Sequence, residues 1–178
     1  LDWHVVTEPG WFLEQGWALT PETAGIAERD GWGPHRKPSI GWVRRRSTEL
    51  LMMIGGRHLA GDPPVNLHVN LDDRPVTTLV IRPGYFLDFV NVPPAAQAGE
   101  GRYAKLTVSA TVQGGGAVPP VAIEQFNLQP PDRVQYGFDQ GWYEPEYNPR
   151  TSRSWRWMSD RAVVRVHPAG KAVVLRFA

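Results

Sequence analysis

The sequence predicts an all-β protein: an antiparallel β-sandwich of jelly-roll-like form, with a C-terminal partial repeat packed on it. Three observations carry that reading. The 178 residues include 18 Gly and 17 Pro, together roughly a fifth of the chain against about 12% in average usage, which works against a bundle of long helices. Short apolar runs alternate with turn residues at roughly 8 to 12 residue spacing, the signature of sandwiches and jelly rolls. No stretch longer than about ten residues repeats its apolar positions with a period of 3.6.

The predicted strands follow in order. Residues 40–45 and 49–54 lead to a turn at Gly55-Gly56. Residues 65–71 alternate Val65, Leu67, Val69 and Leu71 against Asn66, His68 and Asn70, the pattern of a half-buried strand. Asp72-Asp73-Arg74 is a hairpin-like turn into residues 75–81, and Pro83-Gly84 turns the chain into 85–92. Residues 105–112 place Leu106, Val108, Ala110 and Val112 on one face, and 121–128 follow the loop at Gly114-Gly115-Gly116. Beyond the break at Pro130-Pro131, strands are expected at 141–144, 154–158, 162–166 and 172–177.

Composition bounds the function. Hydrophobic residues at 42% and charged residues at 21% support an ordinary core, and a formal charge of +1 is far from the basic balance of a dedicated nucleic-acid binder. The absence of Cys excludes disulfides and thiolate metal sites. No apolar run approaches the roughly 18 residues of a membrane span.

The chain carries a weak internal repeat. Glu14-Gln15-Gly16-Trp17 matches Asp139-Gln140-Gly141-Trp142, and each is followed by a Pro-Glu pair, Pro21-Glu22 and Pro145-Glu146. On this reading Gly41-Trp42-Val43-Arg44 corresponds to Ser154-Trp155-Arg156-Trp157, so the first copy carries the longer insertion. Residues 1–135 then form a β-sandwich domain, and 136–178 are a partial second copy that either completes the first sandwich or opens a second one.

All eight Trp fall in residues 3–42 or 142–157. An indole face packs on the apolar face of a pyranose while neighbouring carboxylates and guanidinium groups take its hydroxyls, so aromatics interleaved with acids and Arg fit a glycan site. The second copy offers Trp142, Tyr143, Glu144, Glu146, Tyr147, Arg153, Trp155, Arg156 and Trp157; the first offers Trp17, Glu22, Trp32, Trp42 and Arg44. Trp17, Trp42, Trp142 and Trp155, matched between copies, read as inter-sheet core. Trp11, Trp32 and Trp157, unmatched, read as an exposed platform.

Other chemistries are weaker. Glu144 and Glu146 at i, i+2 would share a strand face about 6.5 to 7 Å apart, within the carboxylate separation of glycosidases, but Pro145 interrupts them. The five His form no close pair, so no zinc site is expected. Asn66, His68 and Asn70 with Asp72 read as a solvated face, with structural calcium as the minor alternative. Arg29, Arg36, Lys37, Arg44, Arg45 and Arg46, interleaved with Trp32 and Trp42, could serve an anionic ligand, but pairing with Glu49 and nearby acids is the plainer reading, and no nucleic-acid partner is expected.

Two segments carry a resemblance: Phe138-Asp139-Gln140-Gly141-Trp142-Tyr143-Glu144-Pro145-Glu146-Tyr147, and Ser154-Trp155-Arg156-Trp157-Met158-Ser159-Asp160-Arg161-Ala162. Together with 17–25 and 55–59 they resemble extracytoplasmic β-sandwich regions appended to bacterial polytopic membrane glycosyltransferases similar to the protein mannosyltransferase class. The resemblance implies a non-catalytic, carbohydrate-binding-like module outside the cytoplasm, partnered by an oligosaccharide or polysaccharide and by the membrane part of a larger protein. It transfers no catalytic residue.

Overall fold

The computed structural model describes residues 9–18, 37–112 and 114–176. Alternation of apolar and polar residues gives twelve strands among them: β1 (Trp11–Leu13), β2 (Ser39–Arg44), β3 (Leu50–His58), β4 (Val65–Leu71), β5 (Arg74–Ile81), β6 (Gly84–Val92), β7 (Tyr103–Val112), β8 (Val121–Gln129), β9 (Gln135–Phe138), β10 (Trp142–Asn148), β11 (Arg153–Met158) and β12 (Val164–His167). A single helical turn, α1 (Pro94–Gln97), lies between β6 and β7.

Two antiparallel sheets form the sandwich. One has the order β1-β2-β7-β4-β5 and the other β6-β3-β8. In β4 every second residue is buried, so Val65, Leu67, Val69 and Leu71 face the opposite sheet, where Leu50, Met52, Ile54, Ile123 and Phe126 meet them in one core. Asp72 and Asp73, with φ of 45° and 64°, make the two-residue β4–β5 loop, as expected for a turn with both central residues left-handed.

The sequence expectation fails at Gly55-Gly56. These glycines lie inside β3, the central strand of its sheet, and not in a turn. A Cβ on Gly56 would stand 1.8 Å from the Ala122 carbonyl oxygen, and one on Gly55 would stand 2.6 Å from Leu87 Cδ1. The pair lets β8 and β6 close on β3, and the β3–β8 register shifts between Gly55 and Gly56.

A third layer covers the outer side of the three-stranded sheet. β9 and β12 pair with each other and lie against β3 and β6. Gly137 fits where a Cβ would sit 2.8 to 2.9 Å from Leu87 and Met53 atoms. Gln135 Nε2 donates to the Leu51 carbonyl at 3.0 Å, Arg165 Nη1 to that of Leu87 at 2.8 Å, and Gln125 exchanges two hydrogen bonds with the Phe138 backbone. The short strands β1 and β9 escaped the sequence reading because three or four residues show no periodicity. The strand expected at 172–177 is absent among its described residues, 172–176.

Candidate functional site

The repeated Glu/Asp-Gln-Gly-Trp segment is the joint from which the candidate site projects. In the first copy, Glu14 N–H donates to the Ile40 carbonyl at 2.8 Å, Ile40 N–H to the Gln15 carbonyl at 3.0 Å, and the Trp17 indole to the Ile40 carbonyl at 2.8 Å. In the second, Asp139 N–H donates to the Val163 carbonyl at 2.9 Å, Val163 N–H to that of Gln140 at 2.9 Å, and the Trp142 indole to that of Val163 at 3.0 Å. Gly16 and Gly141 sit at φ of 85° and 86°, a conformation that favours glycine. Even the outer acids correspond: Glu14 accepts from the Trp42 indole at 2.7 Å, and Asp139 from Arg165 Nε at 2.7 Å.

This pattern corrects the sequence alignment of the two copies. Ile40 corresponds to Val163, so Trp42 corresponds to Arg165 and not to Trp155. The segments between joint and strand are then nearly equal in length, 22 residues from 18 to 39 and 20 residues from 143 to 162.

In the second copy that segment is the hairpin β10–β11. Its turn is fixed by Asn148, whose Oδ1 accepts from Arg150 N–H at 2.9 Å and whose carbonyl accepts from Thr151 N–H at 3.2 Å. Its base is tied by Ser159, whose N–H donates to the Gly141 carbonyl at 2.9 Å. The strand runs through Pro145, which pairs with Arg156, because a register shift between Trp142 and Pro145 absorbs the irregularity.

Pairing decides the faces. Glu146 stands opposite Trp155 and Asn148 opposite Arg153, so these four share one face with Trp157, two residues on from Trp155. Trp157 is 61% exposed and Trp155 39%, with their Cα atoms about 6.5 to 7 Å apart as i, i+2 strand neighbours. The Trp157 indole N–H donates to Glu146 Oε1 at 2.8 Å, which orients the ring. The opposite face packs inward at one end: Arg156 lies 4.6 Å over the Phe138 ring and donates to the Tyr143 carbonyl at 3.2 Å, and Phe138 meets Trp142 at 5.0 Å.

The structure therefore gathers part of the expected set. Arg153, Trp155, Trp157 and Glu146 form one exposed face; Tyr143 and Tyr147 are exposed on the same hairpin, Tyr147 on the opposite face. Trp155, expected in the core, is exposed because the hairpin stands clear of the sheets. Trp142 and Arg156 are half-buried supports. Trp11, expected on an exposed platform, packs edge-on against Phe126 at 5.1 Å and belongs to the core margin. Trp17 is 1% exposed, as expected of core, whereas Trp42 is only half-buried and stacks on Phe12 on the outer sheet face. Trp32, Glu22, Arg29 and Arg36 lie outside the described residues, as does the Glu144 side chain.

The other candidate residues have structural partners. His68 bridges Thr78 and Thr111 at 3.1 and 2.8 Å. Asp72 is held by Arg45 and by Lys105 N–H; burial alone would raise its pKa, but these two bonds and the nearby Arg74 bring it below the ordinary carboxylate value. Arg45 thus pairs with Asp72, not Glu49, and also donates to the carbonyls of Gln97, Ala98 and Glu100. No group of three metal-ligating side chains occurs among the described residues, and none of their helices is long and apolar enough to cross a membrane. No protein-family model, curated protein or solved structure matches the chain.

Proposed function

We propose that the chain is a non-catalytic glycan-binding module and that the Trp155–Trp157 face of the β10–β11 hairpin is its ligand platform. The observation that carries this reading is the pair of indoles on one exposed strand face, one of them oriented by Glu146. Adjacent pyranose rings stack on the two indoles, while the second oxygen of Glu146 and the Arg153 guanidinium take hydroxyls at the ring edge. An open, flat strand face suits a polymer running across it better than a small molecule that needs enclosure. The resemblance to glycosyltransferase-appended sandwiches supports an extracytoplasmic setting, with the membrane part of a larger protein as partner.

Titration of the tryptophan fluorescence and calorimetry against a panel of neutral and acidic oligosaccharides test the proposal. Saturable binding is expected for at least one glycan, weakened at least tenfold by Trp157→Ala and by Trp155→Ala and less by Glu146→Ala. Absence of binding across the panel, or variants that bind like the parent, would overturn it. Turnover of any glycan that is lost in Glu146→Gln would replace it with a hydrolase.

A further inference from the structure

The second copy repeats the opening of the sandwich, but its inner face is covered only in part, by Arg156 and Trp142 on Phe138. Since Ile40 corresponds to Val163, β2 corresponds to β12 and β1 to β9, with the same cross-strand register: Trp11 pairs with Val43 and Leu13 with Gly41, as Tyr136 pairs with Val166 and Phe138 with Val164. In the first copy Trp11, Leu13, Gly41 and Val43 face the core, where Phe126 of β8 meets Trp11. The free side of β2 is closed by β7, from Ser39 opposite Val108 to Arg44 opposite Tyr103.

Among the described residues of the second copy no strand pairs with the far side of β12 and no sheet lies opposite, although Arg156 and Trp142 of the hairpin pack on Phe138. Tyr136 is 57% exposed and Phe138, Val164 and Val166 are half-buried. Among the described residues β12 pairs with β9 alone. Four apolar side chains in the register of a sandwich interior, beside a strand edge whose alternate N–H and C=O groups point away from β9, match a sheet awaiting its neighbour. A strand exchanges the edge's hydrogen bonds to water for backbone pairing along β12 and sets its side chains beside Val164 and Val166, which a helix or an acyl chain does not do.

We infer that the free edge of β12 is a docking surface for an extended polypeptide strand of β7 type, added antiparallel with alternate apolar side chains set beside Val164 and Val166. The template is internal. β7 carries Ala104, Leu106, Val108 and Ala110 at alternate positions toward the core, and it covers the corresponding edge of the first copy. This surface is separate from the Trp155–Trp157 platform.

The test uses the full chain and a synthetic peptide copying Tyr103–Val112, with a scrambled peptide as control, read by hydrogen exchange. The amides of Val164 and Val166 are expected to exchange at least tenfold more slowly with the peptide and to be unaffected by the scrambled one. The protection is expected to disappear in Val166→Lys, with circular dichroism and melting showing that this variant keeps its fold; Val164→Lys serves if it does not. No protection at millimolar peptide, equal protection by the scrambled control, or protection that survives the substitution overturns the inference. Protection present without peptide, together with a dimer in light scattering, gives the face to a second copy of the chain and overturns it as well.

Discussion

The indole N–H of Trp142 reaches the carbonyl oxygen of Val163 at 3.0 Å across 21 residues of sequence. The bond closes the base of the β10–β11 hairpin, just as Trp17 closes the corresponding segment on Ile40 across 23 residues. Their surroundings differ. Trp17 lies in the core against Phe126 at 5.1 Å, whereas Trp142 is half-buried on Phe138.

Replacing each indole by phenyl separates the two roles. Trp142→Phe is expected to cost about 1 kcal/mol, the worth of one hydrogen bond, and to act locally. Hydrogen exchange should rise at Asp139 and Val163 while β3 amides stay protected. Trp17→Phe adds a cavity in the main core and should lower global stability by about 2 kcal/mol or more in urea denaturation.

Gly141 holds the joint by having no side chain. A Cβ there would stand 2.1 Å from the Arg161 carbonyl oxygen, in a backbone with φ of 86°. Gly141→Ala is expected to destabilise the second copy by about 2 kcal/mol or more. Proteolysis within residues 142–158 should accelerate, with the 50–129 sandwich remaining resistant.

Asp72 gives the fold an acid limit. Its pKa in the folded protein lies below the ordinary value, so its contribution is present above the unfolded pKa of about 3.9 and is lost as pH falls through the lower folded value. Asn tolerates the left-handed backbone at this position, so Asp72→Asn tests the charge alone. With solvent screening allowed for, the variant is expected to be less stable by about 1 kcal/mol at pH 7. The gap should close in urea titrations as pH falls from the unfolded pKa through the lower folded value.

Trp11 and Trp157 should respond in opposite ways. Trp11→Ala removes a ring packed on Phe126 and is expected to cost about 2 kcal/mol of stability while leaving glycan affinity unchanged. Trp157→Ala, at an exposed position, should change stability by no more than about half a kcal/mol and carry its effect in binding. Paired melting and titration measurements on the two variants decide this.

Alternation alone located β4 to the residue and most of the other sandwich strands to within a few residues, because burial on one side imposes a period of two on any strand long enough to display it. The Glu/Asp-Gln-Gly-Trp repeat was equally legible, since it is built from adjacent residues with a common backbone need. The candidate platform was legible only as a composition. The sequence marks Trp155 and Trp157, but it suggests a core place for Trp155 and a surface place for Trp11. Exposure depends on which sheet lies opposite, and nothing local to either residue encodes that. The signal for the Tyr136–Val166 face lies in the strand after each joint, where Ile40 corresponds to Val163.

The all-β class, the alternating core of the sandwich and the two joints follow from local periodicity and from glycine where φ is positive. That Gly55-Gly56 is strand interior, that Trp42 corresponds to Arg165, and that the indoles of Trp155 and Trp157 face outward together is set by the folded arrangement. Each of these depends on contacts between segments far apart in the chain: the approach of β6 and β8 to β3, hydrogen bonds that span more than twenty residues, and a hairpin that projects beyond the sheets.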